Sequence, residues 1–359
     1  MDRHDNLETR IRRYQAFWNR AAVDRPLIGF SLGGWFPLKS YSAMERLRGI
    51  PRLQPEMIRP KALFADYDRL IEQFDKVEDD VIRAVAPIPP FPWFEAMLGV
   101  PVEVGNESIW AREGGFDYAQ MDQLDFSPQN PWRRKYLELV AALSDRYRGK
   151  VPVGQPILRG SSDMVASLRG SQQMIFDFYD CPDLFKRLAA KCTKLIIDLV
   201  EEQHRITGFF AGGTVIEQFA LWAPGKIIRM QEDASALFSP DLYTKLLQEE
   251  DRKQAAAFPY SLIHLHASSL HLIDRIAEIP ELRCVQINKD TGGTEIEREI
   301  PSFKTVQERG KTLFIRGKLT LEDLSLLRKN LSPRGLYLQI VVERPEEAKS
   351  LQEFFRPWD

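Results

Sequence analysis

Four short apolar runs follow one another at regular spacing in the C-terminal part of the chain, and they decide the fold: LIHL at 262–265, CVQI at 284–287, TLFI at 312–315 and LYLQIVV at 336–342. A longer amphipathic stretch separates each run from the next. The stretch before the fourth run and the stretch after it begin with helix-start signals, TLED at 320–323 and PEE at 345–347. Short buried strands that alternate with helices predict parallel βαβ units.

The same alternation extends towards the N-terminus. An opening helix is predicted for residues 7–22, and four further strands are predicted at 26–32, 81–86, 151–158 and 209–219. The prediction is therefore eight strands, and eight βα units close into a (β/α)₈ TIM barrel. An open, doubly wound α/β sheet is the alternative.

The domain organisation follows from this strand pattern. The chain has 359 residues, which would allow two domains. A single α/β barrel, however, often has from about 200 to more than 400 residues. We therefore expect one domain, residues 1–359, with an N-terminal helix and an insertion at about 101–130 before the third strand.

Composition excludes several kinds of partner. The chain has 49 basic and 51 acidic residues, a net charge of −2, and the charges are interspersed. It has no basic stripe for nucleic acid and no apolar run of about 18 residues for a membrane span. The charged start predicts a cytoplasmic protein. The three widely spaced cysteines predict neither disulfides nor a metal knuckle. These are Cys181, Cys192 and Cys284.

Residues 261–271 contain three of the five histidines. In a barrel the active site lies at the C-terminal ends of the strands. His264 and His266 are two residues apart on a predicted strand, so they share a face at that end. Two imidazoles there could bind a metal ion or serve in acid–base chemistry. The alternative is a structural role in which a histidine bonds a neighbouring carbonyl and His271 covers the next helix.

Carboxylates follow two other predicted strands. Asp163 ends the third-strand exit RGSSD at 159–163, where it would contact substrate or cap the next helix. Glu217 lies near the end of the predicted fourth strand beside an aromatic residue. That environment could bind a metal or raise a carboxyl pKa. Asp233 could face the same cavity, although acidic pairs are usually solvated.

Further predicted substrate contacts are cationic, amide or aromatic. Arg316 ends the seventh strand and could clamp a carboxylate or phosphate, or form a salt bridge across the rim. Arg159 at the third strand exit is a second candidate cation, and Gln339 lies on the last strand. The predicted aromatic lining consists of Trp35, Trp93 and Trp222.

Several motifs together resemble the uroporphyrinogen decarboxylase superfamily, which includes cobalamin-linked methyltransferases. The likeness covers nearly the whole chain and is carried by DRPL at 24–27, SLRG at 167–170, DFYDCPDL at 177–184, WAPG at 222–225, ED at 232–233, FSPDLY at 238–243 and LIHLH at 262–266. The resemblance implies the same barrel fold.

The loop after the first strand departs from the decarboxylases. True uroporphyrinogen decarboxylases have an arginine-rich loop there that binds the acidic tetrapyrrole, whereas residues 30–37 read FSLGGWFP and contain no arginine. Each missing charge-assisted contact would cost about 1.5–3 kcal/mol. Uroporphyrinogen is therefore not the expected substrate.

The methyltransferase branch is similar at the fifth strand. Its members hold zinc with His-x-Cys and a late cysteine. Here His264 keeps the first position, His266 replaces the cysteine, and Gln339 or Glu343 replaces the late one. The resemblance implies a zinc site of His264 and His266 with Glu217 as a further ligand. Nitrogen and oxygen ligands donate less charge than thiolates, which favours Lewis-acid chemistry or a bound hydroxide.

The function expected from these observations is metal-assisted methyl transfer to or from a small molecule, in partnership with a corrinoid protein. His264, His266 and Glu217 would be ligands or acid–base groups, and Asp163 a substrate contact. One alternative is a cofactor-free decarboxylase of a small or tetrapyrrole-related acid, with Arg159 and Arg316 converging at the pocket mouth. A second is a barrel that binds a small molecule without turning it over.

Overall fold

The computed structural model describes residues 3–33, 40–105, 108–351 and 356–358. The predicted substrate contact Trp35 lies outside these ranges. None of the helices within them has the length and apolar character needed to cross a bilayer.

The strands in these ranges are, in chain order, β1 Leu27–Leu32, β2 Val102–Val104, β3 Ile109–Ala111, β4 Thr214–Ile216, β5 Leu221–Ala223, β6 Ile227–Gln231, β7 Tyr260–His266, β8 Cys284–Lys289, β9 Thr312–Gly317 and β10 Leu336–Val342. Six of these described strands form one parallel sheet in the order β1-β10-β9-β8-β7-β6. Their residues are almost all buried, as in parallel sheets whose faces are both covered.

The helices in the same ranges are α1 Arg3–Trp18, α2 Phe64–Phe74, α3 Trp93–Met97, α4 Pro131–Tyr147, α5 Ser161–Arg169, α6 Ser171–Asp180, α7 Pro182–Thr207, α8 Pro240–Leu246, α9 Gln248–Ala256, α10 Ile273–Ala277, α11 Ile296–Glu308, α12 Leu321–Asn330 and α13 Pro345–Ser350. The capping box predicted at Thr320 is present at the start of α12, where its side chain accepts from the backbone of Asp323.

The prediction of an α/β fold with parallel strands is confirmed. The first predicted strand and the four C-terminal ones correspond to β1, β7, β8, β9 and β10, with ends that differ by no more than two residues. The insertion at 101–130 contains the antiparallel pair β2–β3 and a 3₁₀ helix, Tyr118–Gln123.

The predicted second and third strands are much less regular than expected. Within 81–86 only Val85 pairs, in a single parallel bridge with Val153. Within 151–158 the pairing continues only at Gln155, which bridges to Ile216. Two prolines interrupt the second segment, Pro152 and Pro156. A proline cannot donate a ladder hydrogen bond, so extended chain here does not become a full strand.

The predicted fourth strand, 209–219, is wrong. Only β4 within it is a strand, and it turns back through residues 217–220 to pair antiparallel with β5. The strand that completes the parallel sheet beside β7 is β6, which the sequence pattern missed. The apolar residues of β4 and β5 have the sequence pattern of a buried parallel strand. In β6 that pattern is interrupted by Arg229 and Gln231.

The β4–β5 hairpin is packed between α1 and the sheet. The indole nitrogen of Trp18 donates to the carbonyl of Trp222 (2.8 Å), and the hydroxyl of Tyr337 on β10 donates to the carbonyl of Phe219 (2.8 Å). The Tyr14 hydroxyl donates to the carbonyl of Ala220. These residues belong to an apolar cluster separate from the main core. The turn of the hairpin is thereby fixed against the sheet.

Candidate functional site

Polar side chains follow the strand register at the carboxyl end of the sheet. Residues paired across parallel strands point to the same face. One paired row contains Gln231, His264 and Gln286, and the row two residues further on contains His266, Asn288, Arg316 and Gln339. This face is therefore polar over the ends of β6 to β10, although its residues are mostly buried.

The two predicted histidines are in contact. His264 is buried and His266 is about one-third exposed, and their Nε2 atoms are 3.1 Å apart. Because both lie on β7 at positions of the same face, the strand itself brings the rings together. The prediction that they share a face at the end of the strand is correct.

Asp233 joins the histidine pair. It begins a 3₁₀ helix, Asp233–Leu237, directly after β6. Its Oδ1 lies 3.7 Å from His266 Nε2 and accepts no hydrogen bond, whereas Oδ2 accepts from Arg159 (2.9 Å) and Gln231 (2.6 Å). One donor atom each from Asp233, His264 and His266 lies within 4.8 Å of the other two. We call these three residues the His–His–Asp cluster.

Partners behind each ring fix its tautomer. The Nδ1–H of His264 donates to the side-chain oxygen of Gln286, and the Nδ1–H of His266 donates to both carboxylate oxygens of Asp290 at 2.8 Å. Asn288 holds Asp290 in turn (2.6 Å). When both rings are neutral with their protons on Nδ1, both Nε2 atoms carry lone pairs that face each other; when His266 is protonated, its Nε2–H donates to Nε2 of His264.

The protonation of the cluster follows from burial and charge. Burial lowers the pKa of His264 to about 3, so this ring is neutral. The hydrogen bond to Asp290 raises the pKa of His266. Burial acts to raise the pKa of Asp233, but nearby positive charge, including Arg159, outweighs it and holds the pKa below its usual value. The cluster therefore offers a neutral imidazole and an ionised carboxylate.

Glu217 does not belong to the His–His–Asp cluster, contrary to the ligand set expected from the resemblance. It lies at the start of the β4–β5 turn, not at the end of a parallel strand. Its Oε2 is buried without a hydrogen-bond partner. Burial raises the pKa of Glu217 to about 8, with Arg316 acting in the opposite direction. The carboxylate that joins the histidines is Asp233.

Asp163 caps α5, as one of its two predicted roles required. Its carboxylate accepts from the backbone of Gly160 (3.3 Å) and of Ala234 (2.7 Å). Glu232 accepts from the backbone and hydroxyls of Ser161 and Ser162 at the same helix start. Burial, followed by the charges of Asp233 and Glu232, raises the pKa of Asp163 well above its ordinary value. A substrate contact for Asp163 stays a prediction.

The two predicted cationic contacts have different surroundings. Arg159 binds Asp233 and lies 3.4 Å from Glu95 on α3. Arg316 is buried on β9 and donates to Gln339 on the neighbouring strand (3.0 Å). It also donates to Asn288 on β8 (3.3 Å) and to Ser31 on β1 (3.4 Å). The structure thus places Arg159 beside the His–His–Asp cluster and Arg316 with Gln339 among amides and a hydroxyl.

The described tryptophans of the expected aromatic lining belong to the packed interior. Trp93 is buried against Phe91 and Trp132, and its indole nitrogen donates to the carbonyl of Pro87 (2.9 Å). Trp222 is buried, and its indole nitrogen donates to the carbonyl of Phe210 (3.0 Å). Both are satisfied without a ligand.

The sequence pattern did not single out the residues that hold the cluster in place: Arg229, Gln231, Gln286, Asn288 and Asp290. A signal for them was present, because Gln286 and Asn288 repeat on β8 the two-residue polar spacing of the histidines on β7. Polar residues within otherwise apolar parallel strands are unusual and favour a site. Their register with β7 was needed to assign them to it.

Comparison with solved structures identifies the fold. The chain is similar to a methyltransferase from Methanosarcina mazei, with a TM-score of 0.62, and the match covers 96% of this chain and 98% of that one. The two sequences are 13% identical, so the similarity establishes the fold and not the activity. No protein-family model matches the sequence, and no curated protein matches it.

Proposed function

We propose that this protein is a barrel enzyme of the uroporphyrinogen decarboxylase superfamily that transfers a methyl group with the help of a metal ion, in partnership with a corrinoid protein in the cytoplasm. The observation that carries the proposal is the convergence of three donor atoms in the His–His–Asp cluster. The fold shared with a methyltransferase supports the reaction class.

Hydrogen bonds beyond the regular sheet support closure into a single-domain barrel. They continue from the β1 edge through the irregular segments to the β4–β5 hairpin, and from the hairpin to the β6 edge. The bonds run from Asp80 N to Ile28 O, from Val85 N to Pro152 O, from Gln155 N to Val215 O and from Ile227 N to Thr214 Oγ1, each at 3.0 Å. Both edges of the parallel sheet are thus linked to the same intervening segments.

The donor set fits a divalent metal ion. Two imidazole nitrogens 3.1 Å apart need either a proton or a metal ion between them, and the unpartnered Oδ1 of Asp233 is close by. Imidazole nitrogen and carboxylate oxygen suit zinc and other first-row metals. His264, His266 and Asp233 would hold the ion, and Gln286 and Asp290 would orient the rings. A bound ion would supply Lewis-acid polarisation of a substrate atom.

The chain's own residues would bind and orient the substrate. Arg316, steadied by Gln339, Asn288 and Ser31, presents a guanidinium on the same face as the His–His–Asp cluster. A guanidinium matches an acidic substrate group such as a carboxylate. Substrate held there would lie across the polar face from β9 towards β7. Asp163 and Arg159, at the exit of segment 151–158, would border it.

A metal-binding measurement tests the proposal. Wild-type protein purified without chelators should contain about one zinc ion per chain or take it up on titration. His264→Ala/His266→Ala should lose this ion. His271→Ala is the matched control, because His271 lies on the same segment but bonds the carbonyls of Ser268 and Phe238. A wild type that binds no metal even with added zinc would contradict the proposal.

Methyl transfer tests the reaction itself. Metal-loaded wild type should speed the exchange of a methyl group between cobalamin and a small nucleophile, and the double histidine variant should not. The decarboxylase and the binding-only alternatives have no comparable observation in their favour. Release of carbon dioxide that persists after metal removal would favour the former.

A further inference from the structure

Glu217 is fixed by its backbone at the start of the β4–β5 turn. Its amide donates to the carbonyl of Gln155 (3.0 Å), and its carbonyl accepts from the amide of Ala220 (2.9 Å). Gly154 makes the close approach possible, since a Cβ there would lie 2.8 Å from the carbonyl oxygen of Val215 and 3.2 Å from the Cβ of Glu217. The backbone position of Glu217 is therefore set by the fold.

The turn that carries Glu217 lies against the polar face of the sheet. The side-chain oxygen of Gln218 accepts from Arg229 (3.0 Å) on β6, and its carbonyl accepts from Gln339 (3.5 Å) on β10. The ring of Phe219 lies 5.8 Å from that of His264. Ala220 adopts a left-handed backbone conformation (φ 43°), which is costly for a non-glycine residue. The strained turn thus places Gln218 against the polar face and Phe219 beside the ring of His264.

Groups on several elements face the Glu217 carboxyl. Arg316 on β9 interacts with its charge, and so do the phenols of Tyr41 and of Tyr67 on α2. Burial raises the pKa of both phenols, so both are neutral. Burial also raises the pKa of Glu217 to about 8, whereas that of Asp233 is held low. The carboxyl groups of Glu217 and Asp233 are thus driven to opposite protonation states, the pattern of an acid and an anion.

We propose that Glu217 is the proton donor of the reaction and delivers its proton to the substrate heteroatom from which a methyl group is removed. This inference rests on the proposed function, because it assumes methyl transfer. The bond between the methyl carbon and the heteroatom breaks, and its electron pair stays on the heteroatom, which takes the proton. The methyl group bonds to a reduced corrinoid, which supplies the electron pair of the new bond.

The same chemistry assigns a direction. Methylation of a thiol or an alcohol releases a proton and needs a base, which a neutral carboxyl group is not. Removal of a methyl group needs an acid to avoid expelling an anion. The Glu217 carboxylate left after donation would be stabilised by the charge of Arg316, which acts to lower the pKa of Glu217. The substrate class is therefore a compound that carries its methyl group as an ether or a thioether.

Infrared difference spectroscopy tests the protonation of Glu217 independently of activity. Spectra of wild type and Glu217→Gln should differ by a protonated carboxyl band near neutral pH that disappears towards about pH 9. Glu299→Gln is the matched control, since Glu299 lies on α11 and its pKa is also raised by burial, to about 7. A band that persists in Glu217→Gln and vanishes only in the control would overturn the inference.

Two sulfur donors test proton transfer. Dimethyl sulfide must leave as methanethiol and needs a proton, whereas trimethylsulfonium leaves as dimethyl sulfide and needs none. Chemically reduced cobalamin serves as the methyl acceptor. Glu217→Gln should reduce the rate of transfer from dimethyl sulfide by about 10²–10⁴-fold. The reduction for trimethylsulfonium should be at least tenfold smaller. Equal losses on both donors would overturn the proton-donor role.

Glu217→Asp is the control for a loss of activity that is caused by misfolding. It keeps the acid, so it should retain more transfer from dimethyl sulfide than Glu217→Gln, and an equal loss would count against the inference. Different results would overturn the proposal of methyl transfer and the proposal that Glu217 is the proton donor. No transfer by metal-loaded wild type from either donor overturns methyl transfer, whereas the infrared band decides the state of Glu217 on its own.

Discussion

The buried polar groups at the two ends of the central sheet differ in their hydrogen bonding. At the amino end Asp80 receives both guanidinium nitrogens of Arg25 (2.6 and 2.9 Å) and the backbone amide of Ile28 (3.0 Å). At the carboxyl end the buried side-chain atoms without a hydrogen-bond partner include Asp233 Oδ1, Gln286 Nε2 and Glu217 Oε2. The Asp80 carboxylate is saturated with internal hydrogen bonds, whereas these three atoms at the carboxyl end have none.

This difference indicates where stability and function reside. A buried polar atom without a partner costs about 1–3 kcal/mol, so a fold retains several at one place only at some expense. The same atoms are free to bind a ligand. Changes at the amino end should therefore reduce stability, whereas changes at the carboxyl end should reduce the binding of metal and substrate.

The largest expected effect is on metal affinity at the carboxyl end. His264→Ala/His266→Ala removes two of three donors, so affinity for zinc should fall by well over the 10–100-fold that losing an outer partner costs. Competition with a coloured chelator measures this. The melting temperature without metal should change little, and an unchanged affinity would show that the ion binds elsewhere.

A break at the amino end should affect stability instead. Asp80→Asn removes the carboxylate that pairs with buried Arg25, and breaking a buried pair costs about 3–5 kcal/mol. Urea unfolding measures the loss. Zinc affinity of the folded fraction should stay as in wild type, and a parallel fall in affinity would show that the two ends are not independent.

Glu217 gives a pH-dependent effect on stability. Its pKa is about 8 when folded and near 4.5 when unfolded, so the unfolded state loses the proton first as pH rises. Between these values the wild type should lose at most about 1.4 kcal/mol per pH unit relative to Glu217→Gln. Urea unfolding of both proteins at about pH 5, 6.5 and 8 checks the sign. A constant difference would mean that Glu217 is ionised in the fold.

The smallest effect concerns the partner of His266. Asp290→Asn keeps the shape but removes the charge that receives Nδ1–H, and such changes lower metal affinity by about 10–100-fold. Zinc affinity should fall by this factor, and the visible spectrum of the cobalt-substituted protein should shift. Glu343→Gln, an exposed carboxylate paired with Lys318, is the control.

Local pattern predicts the C-terminal strands and helices because each βα unit there carries its own signals. An apolar run, a turn and a capped helix suffice for β7 to β10. The same reasoning fails at 209–231, because the residues of β4 resemble a buried parallel strand while pairing antiparallel with β5. Arg229 and Gln231 interrupt the apolar pattern of β6, and the burial of Arg229 depends on partners elsewhere in the chain, the carbonyl of Leu158 and the side chain of Gln218.

Some residues of the site can likewise be predicted from local sequence, and others cannot. The spacing of His264 and His266 places them on one face wherever the strand lies, so the sequence alone predicts the pair. The third member depends on which strand lies beside β7. The neighbour is β6, so Asp233 rather than Glu217 reaches the histidines. Gln286 and Asp290 likewise become partners of the rings through the β7–β8 register.

The sequence by itself determined the α/β class, the parallel C-terminal strands and the histidine pair, because these depend on interactions between residues close in the chain. Only the tertiary structure decided which carboxylate completes the cluster, which carboxyl group is buried as a neutral acid, and which polar atoms are left unpaired. Those outcomes depend on strand neighbours and on burial. Both are set by contacts between segments far apart in the sequence.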